Sequence, residues 1–506
     1  MLRRSSPRAW TAVVAVAALA AGCSRSTLAV DPPRPVDLGA VDLGRPDLGA
    51  ADQGPPDEGP CGPPVPEACN GRDDDCDLRV DEDLAFGEVE PRRVVRSDQG
   101  VTGDCSTCRW AGGAQLFVHP DGLLAVWRLG FNGTAPRPNA FARRLAPDGT
   151  PLGEPFELFT TNVPNGFQLT AIGEDRAALA FCGRFGNEDV MTSAFVDPRG
   201  DLLVPPQERT PMGVSCGAQL PGVGWSGERV FFGWTTNRGP QATRGVYLDQ
   251  SDPEGRSRVG ETVIDTFGDL SVAPRFARGH GRLAMVAGTI PEDAGASRLR
   301  FMLFRPDGEV EASVEIDAMA GFFLTAVDVA PSADGWLVVG RSRWSRNPGR
   351  VIVRLTAGGE VLEGPLAIEP ELSWLTQDLE AWRGGGFVLG GVVSGPDGAS
   401  GVGVARLDDR GRRIDLWRPA TPESIGLQGF DLVLDGGRAL LLHPVGGLQD
   451  FEPNDVVLRT LGCTGELTPG SGADAEPEGT GGCLPGSAGP PGWFPGSACP
   501  CYDRPA

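Results

Sequence analysis

Lysine is absent, and all 45 basic residues of this 506-residue chain are arginine. Histidine occurs three times (His119, His280, His443) and tyrosine twice (Tyr247, Tyr502). So few imidazoles and phenols leave few general bases and argue against a histidine-rich metal centre. A basic surface is lacking as well. The 45 basic residues face 67 acidic ones for a net charge of −22, which excludes the usual nucleic-acid footprint. Strong helix signals are scarce too. Gly 73 and Pro 46 together make about a quarter of the chain. Hydrophobic residues still make up 40%, enough for a core. Turn formers scattered through an apolar sequence point to many short strands.

The first 22 residues carry an address. Arg3, Arg4 and Arg8 form a basic start, and an apolar run from Trp10 to Gly22 follows. That run is too short to cross a bilayer and suits a signal h-region. It ends Leu19-Ala-Ala-Gly-Cys23, which resembles a bacterial lipobox, although Leu19 lies one residue further from the cysteine than is usual. The resemblance implies cleavage at Cys23, acylation of that cysteine and, with Ser24 following it, the outer membrane. Several acyl chains would anchor the protein stably. Cleavage after Ala18-Leu19-Ala20 is the alternative. No later segment is apolar enough to span a membrane.

Residues 23–60 read as a disordered tether. Residues 36–60 are five pentapeptides with Asp second and Gly fourth. Such a segment cannot bury enough apolar surface to fold. Residues 61–87 form a Cys/Asp-rich module containing Glu67-Ala-Cys69-Asn70-Gly71-Arg-Asp73-Asp74-Asp75-Cys76-Asp77-Leu78-Arg-Val80-Asp81-Glu82-Asp83. Hard cations need several oxygen ligands wrapped by a short loop. Asp73, Asp75, Asp77 and Asp81 have the alternation that such a loop requires. The segment resembles the metal-binding motif of MopE-type surface proteins over about 17 residues. That resemblance adds Glu67, Asn70, Asp74 and Glu82 to the expected ligand set. It departs at Leu78, where the family has glycine. A positive φ there would cost a leucine about 1–2 kcal/mol. The oxygen-rich set reads as calcium by softness, with copper as the alternative suggested by the family name. Cys69 and Cys76 read as a disulfide clamp in an oxidising compartment. A disulfide-closed acidic turn without metal is the competing reading.

From residue 88 to residue 468 the chain repeats. Apolar runs begin at Leu123, Ala177, Val230, Leu283, Trp336, Phe387 and Ala439, spaced 51–54 residues apart. Turns ending in Gly149, Gly200, Gly255, Gly308, Gly359, Gly411 and Gly465 keep a similar period. Each repeat has room for four strands. In the fourth they are expected at Pro274–Phe276, Leu283–Ala287, Arg300–Phe304 and Glu309–Ile316. Continuous apolar second strands should be buried on both faces, and third strands that alternate with Arg should lie nearer solvent. The expected fold is all-β, a seven-bladed β-propeller. An open solenoid or two sandwiches are the alternatives. Glu88–Ser97 should close the ring by pairing into the last blade beside Val456–Thr460.

Cysteines also mark the edges of the repeats. Cys105 and Cys108 read as a structural staple, and Cys182 and Cys216 sit in neighbouring repeats, where they could bridge blades. Residues 469–506 form a Gly/Pro/Cys-rich tail around Cys483, Cys499 and Cys501, with Cys463 just before it.

Two functions fit this sequence. One is a lipid-anchored envelope protein with a cation motif and a non-catalytic propeller that binds a protein or glycan. The other is an extracytoplasmic propeller hydrolase of glycosidase or lactonase type. No nucleophile motif surrounds any histidine, so all three read as surface or cap residues and no residue is assigned as catalytic. Asp328, Asp378, Glu380 and Asp431 are the candidate acids. The sequence favours reading them as solvated strand starts, and the hydrolase would require them to converge at the tunnel.

Overall fold

Runs of Val, Leu, Phe and Trp bounded by Gly, Asp and Pro form strands here, and every described element is a strand. The computed structural model describes residues 84–96, 108–131, 140–160, 167–185, 188–210, 221–236, 245–265, 270–290, 298–316, 324–342, 350–368, 373–382, 386–394, 400–419, 430–435, 437–445 and 455–466. The chain divides into two compact units, residues 1–60 and residues 61–506, and all described residues belong to the second.

Seven antiparallel sheets form the blades of a β-propeller. Blades 1 to 6 span residues 108–159, 167–208, 222–265, 270–316, 324–368 and 373–417, each with four strands in sequence order. The fourth repeat's strands run Leu270–Gly279, Arg282–Ile290, Arg298–Phe304 and Val310–Ile316, the first three longer than the sequence suggests and the fourth starting one residue later. Innermost strands of successive blades touch all the way round, and that of blade 7 touches that of blade 1.

Blade 7 is closed by the N-terminal side of the repeat region. Its own strands are Asp431–Asp435, Arg438–Val445 and Asp455–Glu466. Arg93–Arg96 pairs antiparallel with the last of these, Arg93 opposite Leu458 and Val94 opposite Val457, as the sequence led us to expect. A second strand, Leu84–Glu88, pairs further along it, Leu84 opposite Glu466. The seventh turn marker is therefore corrected. Gly465 lies inside the strand Asp455–Glu466, because blade 7 takes its outer edge from elsewhere in the chain and needs no hairpin there.

The apolar core is not central. Among the described residues it forms seven layers, each between two neighbouring blades. Strand periodicity distributes side chains between layers. In blade 5, Trp336 and Val338 pack toward blade 4, while Leu337 and Val339 pack toward blade 6. This is why second strands are continuously apolar. The expected exposure of third strands is corrected for the same reason. Val351, Ile352, Val353 and Leu355 are buried, and so is Arg406. Neighbouring blades cover both faces of the third strand, and the fourth strand covers its edge. Fourth strands carry the exposure instead, as at Leu203 and Val310.

The turn glycines serve two needs at once. Gly200 has φ +88°, and a Cβ there would lie 2.4 Å from the Phe156 ring of blade 1. The hairpin turn thus touches the preceding blade only because no side chain intervenes.

Candidate functional site

An innermost strand is paired on one edge only, so its other edge presents unpaired N–H groups. Buried N–H groups need acceptors. Register with the second strand identifies one equivalent position per blade: Gln115, Gln168, Gly222, Arg275, Asp328, Asp378 and Asp431, opposite Val126, Ala180, Gly233, Val286, Val339, Gly390 and Leu442. Several of these side chains reach across to the next blade. Asp328 Oδ2 accepts from Leu379 N–H at 2.9 Å, Asp378 Oδ2 from Leu432 N–H at 3.0 Å, and Asp431 Oδ2 from Leu116 N–H at 2.6 Å. Gln115 Oε1 accepts from Leu169 N–H at 2.8 Å. Arg275 has no acceptor to offer, and Asp328 Oδ1 takes the Val329 N–H itself at 2.9 Å. Blade 3 has glycine because blade 4 fills the space, and a Cβ on Gly222 would sit 2.1 Å from the Pro274 carbonyl oxygen.

Three carboxyls therefore stand side by side on blades 5, 6 and 7. The Asp328 and Asp378 carboxyls, and those of Asp378 and Asp431, lie close enough to act on one another. Glu380 lies two residues beyond Asp378 on the same strand and hence on the same face. Asp328 is 5% exposed, while Asp378, Glu380 and Asp431 are half-buried. Burial, reinforced by Asp378 beside it, pushes the Asp328 carboxyl up to about 8. Burial likewise raises Asp378, opposed by Arg275 and the backbone donors. Asp431 is raised by burial and then by Asp378. Burial raises Glu380, with Asp378, Asp328 and Asp431 adding to it. These acids are not the solvated strand starts that the sequence favours. A propeller's first strands meet around its axis, so residues about 50 positions apart in sequence become neighbours.

The four acids are not equivalent chemically. Asp328, Asp378 and Asp431 are each engaged with a backbone N–H of the next blade. Among the described residues Glu380 receives no hydrogen bond. Among the described residues Arg275 is the one basic group that acts on the row of aspartates. Among the described residues no group of three or more His, Cys, Asp or Glu side chains is placed to hold a metal ion.

The histidines divide. His280, at φ +50°, donates from Nε2 to the Gly335 carbonyl at 2.9 Å and meets Trp336 edge-on, so it caps the hairpin against blade 5. His119 is half-buried at the blade 1 hairpin, and burial lowers its pKa despite Asp121 and Asp197. His443 is corrected. It is fully buried, and burial together with Arg459 pulls it down to about 3. It sits on a second strand, where both faces are covered.

Cys182 is buried and disulfide-bonded, and Cys463, near the end of blade 7, is part-buried and also disulfide-bonded. Cys108 opens the first strand of blade 1. Cys23, Glu67, Cys69, Asn70, Asp73, Asp74, Asp75, Cys76, Asp77, Asp81, Glu82, Cys105 and Cys216 lie outside the described residues.

No protein-family model matches the chain, and neither does any curated protein sequence. Solved structures to which the chain is similar include three enzymes. Prolyl oligopeptidase B from Galerina marginata is 8% identical with a TM-score of 0.42, covering 67% of this chain and 47% of that one. A polysaccharide lyase is 11% identical with a TM-score of 0.42, covering 75% and 98%. The Trypanosoma rangeli sialidase is 11% identical with a TM-score of 0.38, covering 62% and 56%. This chain thus spans about half the length of the oligopeptidase and of the sialidase.

Proposed function

We propose that this protein is a lipid-anchored component of the cell envelope whose propeller is a binding platform rather than a catalyst. The observation that carries the non-catalytic reading is the commitment of Asp328, Asp378 and Asp431 to backbone N–H groups. A glycosidase pair needs two carboxyls free to face the scissile bond. Here, among the described residues, Glu380 alone of the four has no such bond. A single half-buried carboxyl backed by three more acids suits capture of a cation-bearing ligand, such as an amine-containing glycan or a basic peptide. Binding would draw the carboxyls toward ionisation and release protons.

The lipid anchor at Cys23 and a calcium-binding loop at residues 67–82 belong to the same reading, with copper as the alternative metal. They rest on the sequence motifs. The anchor is tested by Cys23→Ala, which should move the protein from the membrane fraction to the soluble envelope fraction. For the loop, metal bound to the full mature chain is measured by mass spectrometry beside Asp75→Ala. Stoichiometric calcium that disappears in the variant supports the site, and equal traces in both refute it.

For the platform, calorimetry with amine-bearing and fully N-acetylated forms of one oligosaccharide separates charge from shape. The amine-bearing form should bind, release protons, and weaken about tenfold, or about 1.4 kcal/mol, in Glu380→Gln. Equal binding of both forms would refute it. Convergence of the acids keeps hydrolysis as the second reading. Turnover of neutral glycosides or lactones that is abolished by Glu380→Gln would establish it.

A further inference from the structure

The inner-ring stitches differ in one chemically telling way. Each needs only an oxygen acceptor. Gln115 supplies one without charge, and its bond to Leu169 is as short as those made by Asp328 and Asp378. Yet the three consecutive stitches that join blade 5 to 6, 6 to 7 and 7 to 1 all use aspartate. Three adjacent carboxylates cannot all be ionised without strong repulsion, whereas carboxyls sharing protons attract. Asp328 Oδ2 reaches the N–H of Leu379, the residue after Asp378, and Asp378 Oδ2 that of Leu432, the residue after Asp431, so neighbouring carboxyls lie close enough to share protons.

We propose that Asp328, Asp378 and Asp431 form a proton-held seam that fastens blades 5, 6, 7 and 1, and that this arc of the ring loosens when the seam ionises. The charged groups facing the seam are Arg275 from blade 4 and Glu380 from blade 6. From blade 1 the seam receives the Leu116 N–H, beside the neutral Gln115. Among the described residues one arginine faces four carboxyls, an excess that bound protons neutralise. The seam closes the same circle that Arg93–Arg96 closes from outside, but on the inner side of the blades.

The sign follows from burial. The seam aspartates keep protons in the fold that they lose when unfolded, so the seam's contribution is complete below about pH 4. It is lost as pH rises toward about 8 for Asp328. Arc 1–2, held by Gln115, has no such dependence.

Hydrogen–deuterium exchange of the full chain, read by mass spectrometry and corrected for intrinsic exchange, tests the seam at about pH 6 and about pH 9. Segments holding Leu379, Leu432 and Leu116 should lose protection by about tenfold, while the segment holding Leu169 stays unchanged. Asp378→Asn keeps an oxygen for Leu432 N–H and offers N–H donors to both neighbours, so it should abolish the loss. Should that variant fail to fold, Asp431→Asn serves the same purpose, and the wild-type contrast with Leu169 remains decisive by itself. Parallel behaviour of all four segments, or a loss that persists in a folded asparagine variant, overturns the proposal.

Discussion

At the residue scale, burial sets the protonation of the ionisable groups that matter. His443 is neutral in the fold because its imidazole sits between two blades beside Arg459. The unfolded chain binds a proton there below about pH 6.5, and the folded chain does so only near pH 3. Stability from this group is therefore present above about pH 6.5 and lost as pH falls, at up to about 1.4 kcal/mol per pH unit. His443→Leu should flatten the acid side of the stability profile, measured by denaturant titration between about pH 4 and pH 7. An unchanged slope would mean that the imidazole is protonated in the fold. Gly200 makes the opposite point, since its role depends on having no side chain. Gly200→Ala combines a positive φ with a clash against Phe156, and should cost about 2–3 kcal/mol in equilibrium unfolding.

At the element scale, the closing strands decide whether the ring is a ring. Val95 is fully buried in the layer between blades 7 and 1, and Phe86 is buried between blades 6 and 7. Glu88 pairs with Arg459 at 2.7 Å and Glu90 with Arg438 at 2.8 Å. These part-exposed pairs contribute little beside the apolar burial. Val95→Ala should cost about 2–3 kcal/mol, and Glu88→Gln under about 1 kcal/mol. If the charge change cost more than the cavity, the strap would be held electrostatically. A different device joins blades 2 and 3. Arg209 donates to Ser193 Oγ and the Gly255 carbonyl, both at 2.7 Å, and lies 3.5 Å from Asp249 beneath the Phe232 ring. The layer between blades 2 and 3 thus has a polar anchor that the repeat pattern does not announce.

At the scale of the whole molecule, chain order and ring order differ by one closing segment. Leu84 lies opposite Glu466 in an antiparallel pair. Joining Glu466 to Leu84 by Asn-Gly would make an ordinary hairpin. A permuted chain that starts at residue 108 and ends with residues 84–96 after that turn should therefore fold. Its midpoint should fall within a few degrees of the parent in thermal unfolding. A chain that starts at residue 97 without the strap should expose the edge of Asp455–Glu466 and associate at micromolar concentration, as seen by light scattering. Monomeric behaviour of that truncated chain would show that blade 7 does not need its borrowed strands.

The repeat count, the four-strand blade and the identity of one closing strand were legible in the sequence, because each depends on local patterning. Apolar runs and turn glycines recur with the period of the supersecondary unit, and turn chemistry acts over four or five residues. The inner ring was not legible. Asp328, Asp378 and Asp431 are each an ordinary strand residue next to its neighbours in sequence. They become one row of interacting carboxyls only because sheets arranged around an axis bring equivalent positions together across some 50 residues of chain. His443 and Arg406 became buried for the same reason, since two blades cover what one strand would expose. The sequence by itself thus determined that the chain makes seven similar sheets and roughly where each strand lies. Tertiary structure alone decided which charges are desolvated and which carboxyl remains free. Burial and proton sharing depend on what stands opposite a side chain in space, and no local pattern records that.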